Sequence, residues 1–160
     1  MKTVWAIFIV GIGGSAGALN AYKALLDAMP SDTGMAFGII SHMTPTAHSQ
    51  LAKILSRHTQ MSVTVAFEAM PIVANHVYVI PPDSDLTMDN YRFKVIFPRS
   101  GGHKQTDIFF ISLAEAMGTR AEALSFRDMM AMARKAAGKS RPREEKPLPR
   151  TCLPKLTSCR

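Results

Sequence analysis

Cysteine is nearly missing from this 160-residue chain. Its two cysteines, Cys152 and Cys159, both fall in the last nine positions, so no disulfide or thiolate–metal framework can organise a core. Long apolar runs are missing too: the longest, residues 4–12, is far short of the ~18 residues that span a bilayer. Nothing after Met1 forms a signal-peptide cleavage region, so the expected location is cytoplasmic, with no membrane insertion. Acidic residues are absent between Asp32 and Glu68, and the first 118 residues carry no net charge. The formal charge of +7 therefore resides wholly in residues 119–160.

What remains suits one α/β domain, since 47% of the residues are apolar, enough to build a core. Residues 4–10 form a continuous apolar run ending in a glycine cluster, the pattern of a buried parallel strand. From Ser15, the residues Leu19, Tyr22, Leu25, Leu26 and Met29 recur at helical spacing until Pro30. A second strand is expected over 35–40, leading into Ser41-His42, and a second helix after Pro45 with Leu51, Ile54 and Leu55 on one face. This order points to right-handed βαβ winding.

A strand is expected over 61–66. Segments 77–80 and 92–97 flank the turn-rich PPDSDLTMDN and read as a hairpin added to the parallel sheet. A last helix presents Asp107, Phe110, Ile111, Leu113, Ala114 and Met117, with Gly118 at its cap. The expected fold is thus a doubly wound, mostly parallel sheet with an inserted hairpin, truncated before its last strand–helix units. Two regions follow: a domain over 1–121, and a basic, proline-containing tail over 122–160 with no hydrophobic period after Ala137.

The turn VGIGGSAGAL between the first strand and the first helix admits two chemistries. As Gly11-x-Gly13-x-x-Ala16 it is a loose dinucleotide fingerprint, which needs an acidic residue at the end of the second strand to hold a ribose. The second strand ends instead in Ser41-His42. As Gly13-x-Ser15-x-Gly17 it is a nucleophile elbow, in which small residues permit a sharp turn that exposes a serine hydroxyl. The backbone N–H groups near Ala16 and Gly17 then face a developing oxyanion. His42, at the neighbouring strand tip, supplies the base. Ser15 as a plain helix N-cap and His42 as a structural residue are the alternatives. His48, His58, His76 and His103 lack the spacing and companions of a metal site, so neither metal nor cofactor is expected.

Beyond the elbow, the chain resembles the catalytic domain of CheB-type chemotaxis protein-glutamate methylesterases. The resemblance is carried by VGIGGSAGALNAYKALLDAMP, DTGMAFGIISHMTPTAHSQLAKILSRHTQMSV, MPIVANHVYVIPPDSDLTM and DIFFISLAEAMGTRA, in order over residues 4–121. It implies that Ser15 is the nucleophile and His42 its base, acting on methyl esters of receptor glutamates, with methylated chemoreceptors as partners. The chain departs from the family pattern at Gly14 and Ala18, where alanine and glycine are common, and at Ser41, where glutamine is common. The larger departure is the family's aspartate loop, in whose place stands EALSFRDMMAMARKAAGKS, with Asp128 in a run of helical character. That aspartate role is not transferred to Asp128, and weak activity is expected without it.

Methionine has a single codon, so Asp128-Met129-Met130-Ala131-Met132 constrains the alternative reading frame. That frame can read Val-Ser-Gly-Tyr-Asp-Gly-Asp-Gly-Thr-Glu-Gly, which looks like the missing loop, and residues 143–151 can likewise yield a segment resembling the strand after it. Residues from about 122 onward are therefore expected to be an out-of-frame reading of the domain's own last third. The alternative is a genuine basic tail, the one circumstance in which a nucleic-acid or anionic partner is expected. A non-catalytic receptor-binding adaptor and a dinucleotide-binding domain remain as other functions.

Overall fold

The structure, a computed structural model, describes residues 7–42, 45–102 and 104–124 and, for residues 16, 42 and 45–49, the backbone alone. Asp128, both cysteines, His103 and the tail after residue 124 lie outside the described residues, as does the side chain of His48.

The first apolar run becomes β1 (Phe8–Ser15), whose middle is buried on both faces. It is followed by β2 (Met35–His42), β3 (Ser62–Val65), β4 (His76–Val79) and β7 (Ala121–Leu124), which form one parallel sheet in the order β3-β4-β2-β1-β7. Helix α1 (Leu19–Ala28) and helix α2 (Pro45–Leu55) connect the early strands, and α3 (Gln105–Met117) precedes β7. Strand alternation divides the core in two. Val10, Ile12, Phe37, Ile39, Val77 and Val79 pack with Tyr22, Leu25 and Leu26 of α1 and with Leu51 and Leu55 of α2. Ile9, Ala36, Ile40, Tyr78 and Ile80 pack on the other face with Phe109, Leu113 and Met117 of α3. Helices on both faces of a parallel sheet are the doubly wound α/β arrangement expected from the sequence.

The hairpin differs from its expected form. Segment 77–80 belongs to the parallel sheet as β4, and the partner of β6 (Arg92–Ile96) is β5 (Asp85–Asp89), inside the stretch read as turn. The two make a separate antiparallel sheet. The reason is a two-residue period hidden among turn-forming residues: Leu86 and Met88 point into the core beside Phe93, while Thr87 is half-buried and Asp89 exposed. The turn itself shrinks to Asn90-Tyr91, both with positive φ (46° and 57°), the backbone a two-residue hairpin needs.

Three boundaries also move. The first helix does not start at Ser15, because β1 runs through Ser15 and a 3-10 turn at Ala16–Ala18 precedes α1. The second strand continues two residues past Ile40 to His42. A strand does follow the last helix: β7 pairs with β1 from Ile9↔Ala121 to Ile12↔Leu124, so ordered sheet crosses the boundary placed at 121. On α3 the buried stripe is Gln105, Phe109, Leu113 and Met117 at i, i+4 spacing, whereas Ile111 is 59% exposed and Asp107 faces out. Gly118 closes the helix at φ 54°, donating its N–H to the Ala114 carbonyl, as the cap expectation required.

Candidate active site

The sheet order gives β1 neighbours laid down in opposite directions: the chain winds from β1 toward β2 and returns across the sheet to place β7 on the other side. The carboxyl end of β1 is thus the topological switch point, where doubly wound folds open a crevice. Ser15 is the last residue of β1 and is exposed. In the β1–β2 register, Gly14 stands opposite Ser41 and Ser15 opposite His42. Neighbouring strands lie about 4.8 Å apart, so the backbones of the expected nucleophile and base are brought side by side.

Ser15 extends the series Ile9, Gly11, Gly13 along β1, and position 42 extends the series 36, 38, 40 along β2. Both series face α3: Ile9, Ala36 and Ile40 belong to its core, Gly11 and Gly13 lie under Phe110, and Gly38 lies under Phe109. Ser15 and His42 therefore occupy register positions on one face of the sheet, at one end.

The glycine cluster has a packing explanation. A Cβ on Gly13 would overlap Thr106 Cγ2 and stand 3.1 Å from Phe110 Cζ, so the absence of a side chain lets the first turn of α3 close onto β1. Gly14 is covered from the opposite face by Tyr22 and Ala18. Side chains of α3 and of the α1 side thus fill the Cβ positions of Gly11, Gly13 and Gly14, so packing accounts for these three glycines. Gly17 has open space around its Cα.

The capping alternative for Ser15 lacks its hydrogen bond: Ser15 precedes the 3-10 turn with φ −91° and ψ 179°, and its side chain makes no cap contact. Among the described residues neither that turn nor α1 is capped by the side chain of its N-cap residue. Two of the other histidines have local partners. His58 Nδ1 lies 2.9 Å from Asp27 Oδ1 at an exposed contact with α1, and His76 Nδ1 lies 3.0 Å from the Ala74 carbonyl oxygen.

Four buried polar atoms have no hydrogen-bond partner among the described residues: Tyr22 Oη, Ser41 Oγ, Asp85 Oδ1 and Gln105 Oε1. The other Asp85 oxygen accepts from the Ser100 N–H at 2.7 Å and from the Ser100 hydroxyl. Gln105 Nε2 donates to the Ser84 carbonyl at 3.2 Å, tying the loop after β4 to the first turn of α3. Burial of the Tyr22 phenol pushes its pKa up to about 12, an effect the neighbouring Ser41 hydroxyl partly offsets. Sequence reading did not single out Tyr22, Asp85 or Gln105 for the site. Tyr22 reads as one more apolar position of α1, Asp85 sits among turn formers, and Gln105 falls at a helix start where polar residues are ordinary.

Among the described residues no helix is long and apolar enough to cross a membrane. The fold is similar to the crystal structure of the Thermotoga maritima CheB methylesterase catalytic domain. The TM-score is 0.66 at 18% identity, over 82% of this chain and 77% of that one. Among curated proteins, the chain is 29% identical over 119 residues to a protein-glutamate methylesterase/protein-glutamine glutaminase of Hydrogenovibrio crunogenus. It is 31% identical over 119 residues to one of Xanthomonas oryzae pv. oryzae. Each alignment covers 71% of this chain but 31% and 33% of the relative, so the chain spans about a third of the length of these proteins. The CheB methylesterase family model matches residues 10–126, nearly all of the described sheet and its helices, and the chain belongs to the CheB methylesterase family.

Proposed function

We propose that the domain hydrolyses methyl esters of glutamate side chains, with methylated chemoreceptors as its substrates and the cytoplasm as its place of action. The observation that carries this reading is the register pair Ser15–His42 at the carboxyl ends of adjacent parallel strands, on the α3 face of a family-matched sheet. Ser15 Oγ attacks the γ-carbonyl carbon while His42 takes the hydroxyl proton. The elbow N–H groups of Ala16 and Gly17 stabilise the resulting oxyanion, with Gly13 allowing the tight approach of α3 beneath them. The carbonyl carbon–methoxy bond breaks, the methoxy oxygen takes the proton from His42, and methanol leaves. Water, deprotonated by His42, then attacks the acyl-Ser15 ester; the carbonyl carbon–Oγ bond breaks, Oγ takes the proton back from His42, and the receptor's glutamate side chain leaves as a free carboxylate.

No metal or cofactor enters this sequence. No acid for His42 is assigned among the described residues, and a serine hydrolase without that member loses roughly 10⁴-fold in turnover, although oxyanion stabilisation and binding retain ~10³-fold over water. The expected outcome with receptor methylated on glutamate is slow methanol release that falls at least tenfold in Ser15→Ala. Equal release from both proteins refutes the reading. Receptor binding that survives Ser15→Ala without any hydrolysis identifies the adaptor instead.

The same reading extends to the tail. The family match runs to residue 126 and β7 to Leu124, close to where the latent Asp-Gly-x-Gly frame begins. We propose that the residues beyond are an out-of-frame version of the family's aspartate loop. The nucleotide sequence from codon 115 onward decides this. An open alternative frame encoding the loop supports it, and a frame broken by stops makes the basic tail genuine.

A further inference from the structure

Tyr22 and Ser41 are each 1% exposed, and their hydroxyls lie close together beneath the elbow without a well-aligned hydrogen bond. They meet at a particular place. Gly14 and Ser41 form the register pair directly before Ser15 and His42, and a Cβ on Gly14 would overlap Tyr22 Oη and stand 2.6 Å from Ala18 Cβ. Tyr22 lies near the start of α1, one turn beyond Ala18. The phenol hydroxyl therefore occupies the space of a side chain at position 14 while lying beside the side chain at position 41.

We infer that Tyr22 is a positioning residue. By filling the side-chain space at Gly14 beside Ser41, its hydroxyl seats α1 against the Gly14–Ser41 pair and so sets the placement of Ser15 and His42. This rests on the proposed reading of Ser15 and His42 as the working pair. A buried hydroxyl is costly unless it meets a polar neighbour, and close packing leaves the strand tips no alternative seat. Small displacements of reacting groups are expensive, which makes the packing beneath them consequential for rate.

The test compares the full chain with Tyr22→Phe, which keeps the ring and removes the hydroxyl. The first readout is the second-order rate at which a fluorophosphonate labels Ser15. Tyr22→Phe is expected to lower it about tenfold. An unchanged rate in Tyr22→Phe overturns the inference. The second readout is amide hydrogen exchange, which needs no reactivity. Tyr22→Phe is expected to speed exchange at residues 14, 15, 41 and 42 about tenfold relative to residues 10 and 37. Uniform acceleration, or none, overturns the inference. If wild-type Ser15 does not label at all, the proposed function fails, and the exchange pattern alone decides the role of Tyr22. Should Tyr22→Phe not fold, Ser41→Ala removes the other hydroxyl, and the same two readouts and the same contradicting results apply.

Discussion

At the residue scale, Ser15 can be changed at little cost to the fold. It is exposed, makes no cap hydrogen bond and ends a strand, so Ser15→Ala is expected to move the unfolding free energy by no more than about 0.5 kcal/mol while removing ester hydrolysis. Chemical denaturation checks the first half and methanol release the second. Gly13 is the opposite case, because a methyl there meets Thr106 and Phe110. Gly13→Ala is expected to cost about 1–3 kcal/mol by overpacking, read as a lower denaturation midpoint at unchanged slope. Tyr22 carries a pH signature. Burial holds its folded pKa at about 12, above the ordinary tyrosine value of 10.0, so the neutral phenol is the form that the fold favours. That stability is fully present below pH 10 and is lost as pH rises from 10 toward 12, on the order of 3 kcal/mol in all. Tyr22→Phe should flatten the alkaline decline, leaving the smaller share due to Tyr78, whose pKa burial also raises.

At the element scale, α3 decides how firmly the site is floored. Its stripe of Phe109, Leu113 and Met117 packs on β1 and β2 and on the hairpin, and Leu113→Ala is expected to cost about 2–5 kcal/mol. Ile111, 59% exposed on the same helix, should tolerate alanine within about 0.5 kcal/mol, and urea denaturation of the two variants separates the faces. Sequence periodicity identified α3 but placed Ile111 and Asp107 on its face. The helix is apolar on several sides, so pattern alone cannot select which stripe meets the sheet. The hairpin was obscured differently: Pro81, Pro82, Asp83 and Ser84 announce a turn, and the alternation of Leu86 and Met88 behind them is too short to outweigh that signal. Strand β7 escaped notice because AEAL contains no β-branched residue. It is a strand through pairing with β1, a tertiary cause.

At the scale of the whole molecule, the doubly wound sheet and the two positions expected to work together were legible because they depend on order and spacing. Apolar runs alternate with amphipathic helices, a small-residue elbow follows the first strand, and a histidine ends the second. What was not legible depends on contacts between faces. The hydroxyls of Tyr22 and Ser41 meet through the seating of α1 on β1 and β2, and Asp85 and Gln105 are buried through the closure of the β4 loop onto α3. The chain spans about a third of its curated relatives, and within that third the sheet brings Ser15 and His42 to one end. The account predicts that this end is chemically competent. Mapping by mass spectrometry after treatment with a fluorophosphonate tests that most directly. A single adduct on Ser15, formed at least tenfold more slowly in His42→Ala, is the predicted result. An unmodified Ser15, or labelling indifferent to His42, would contradict it.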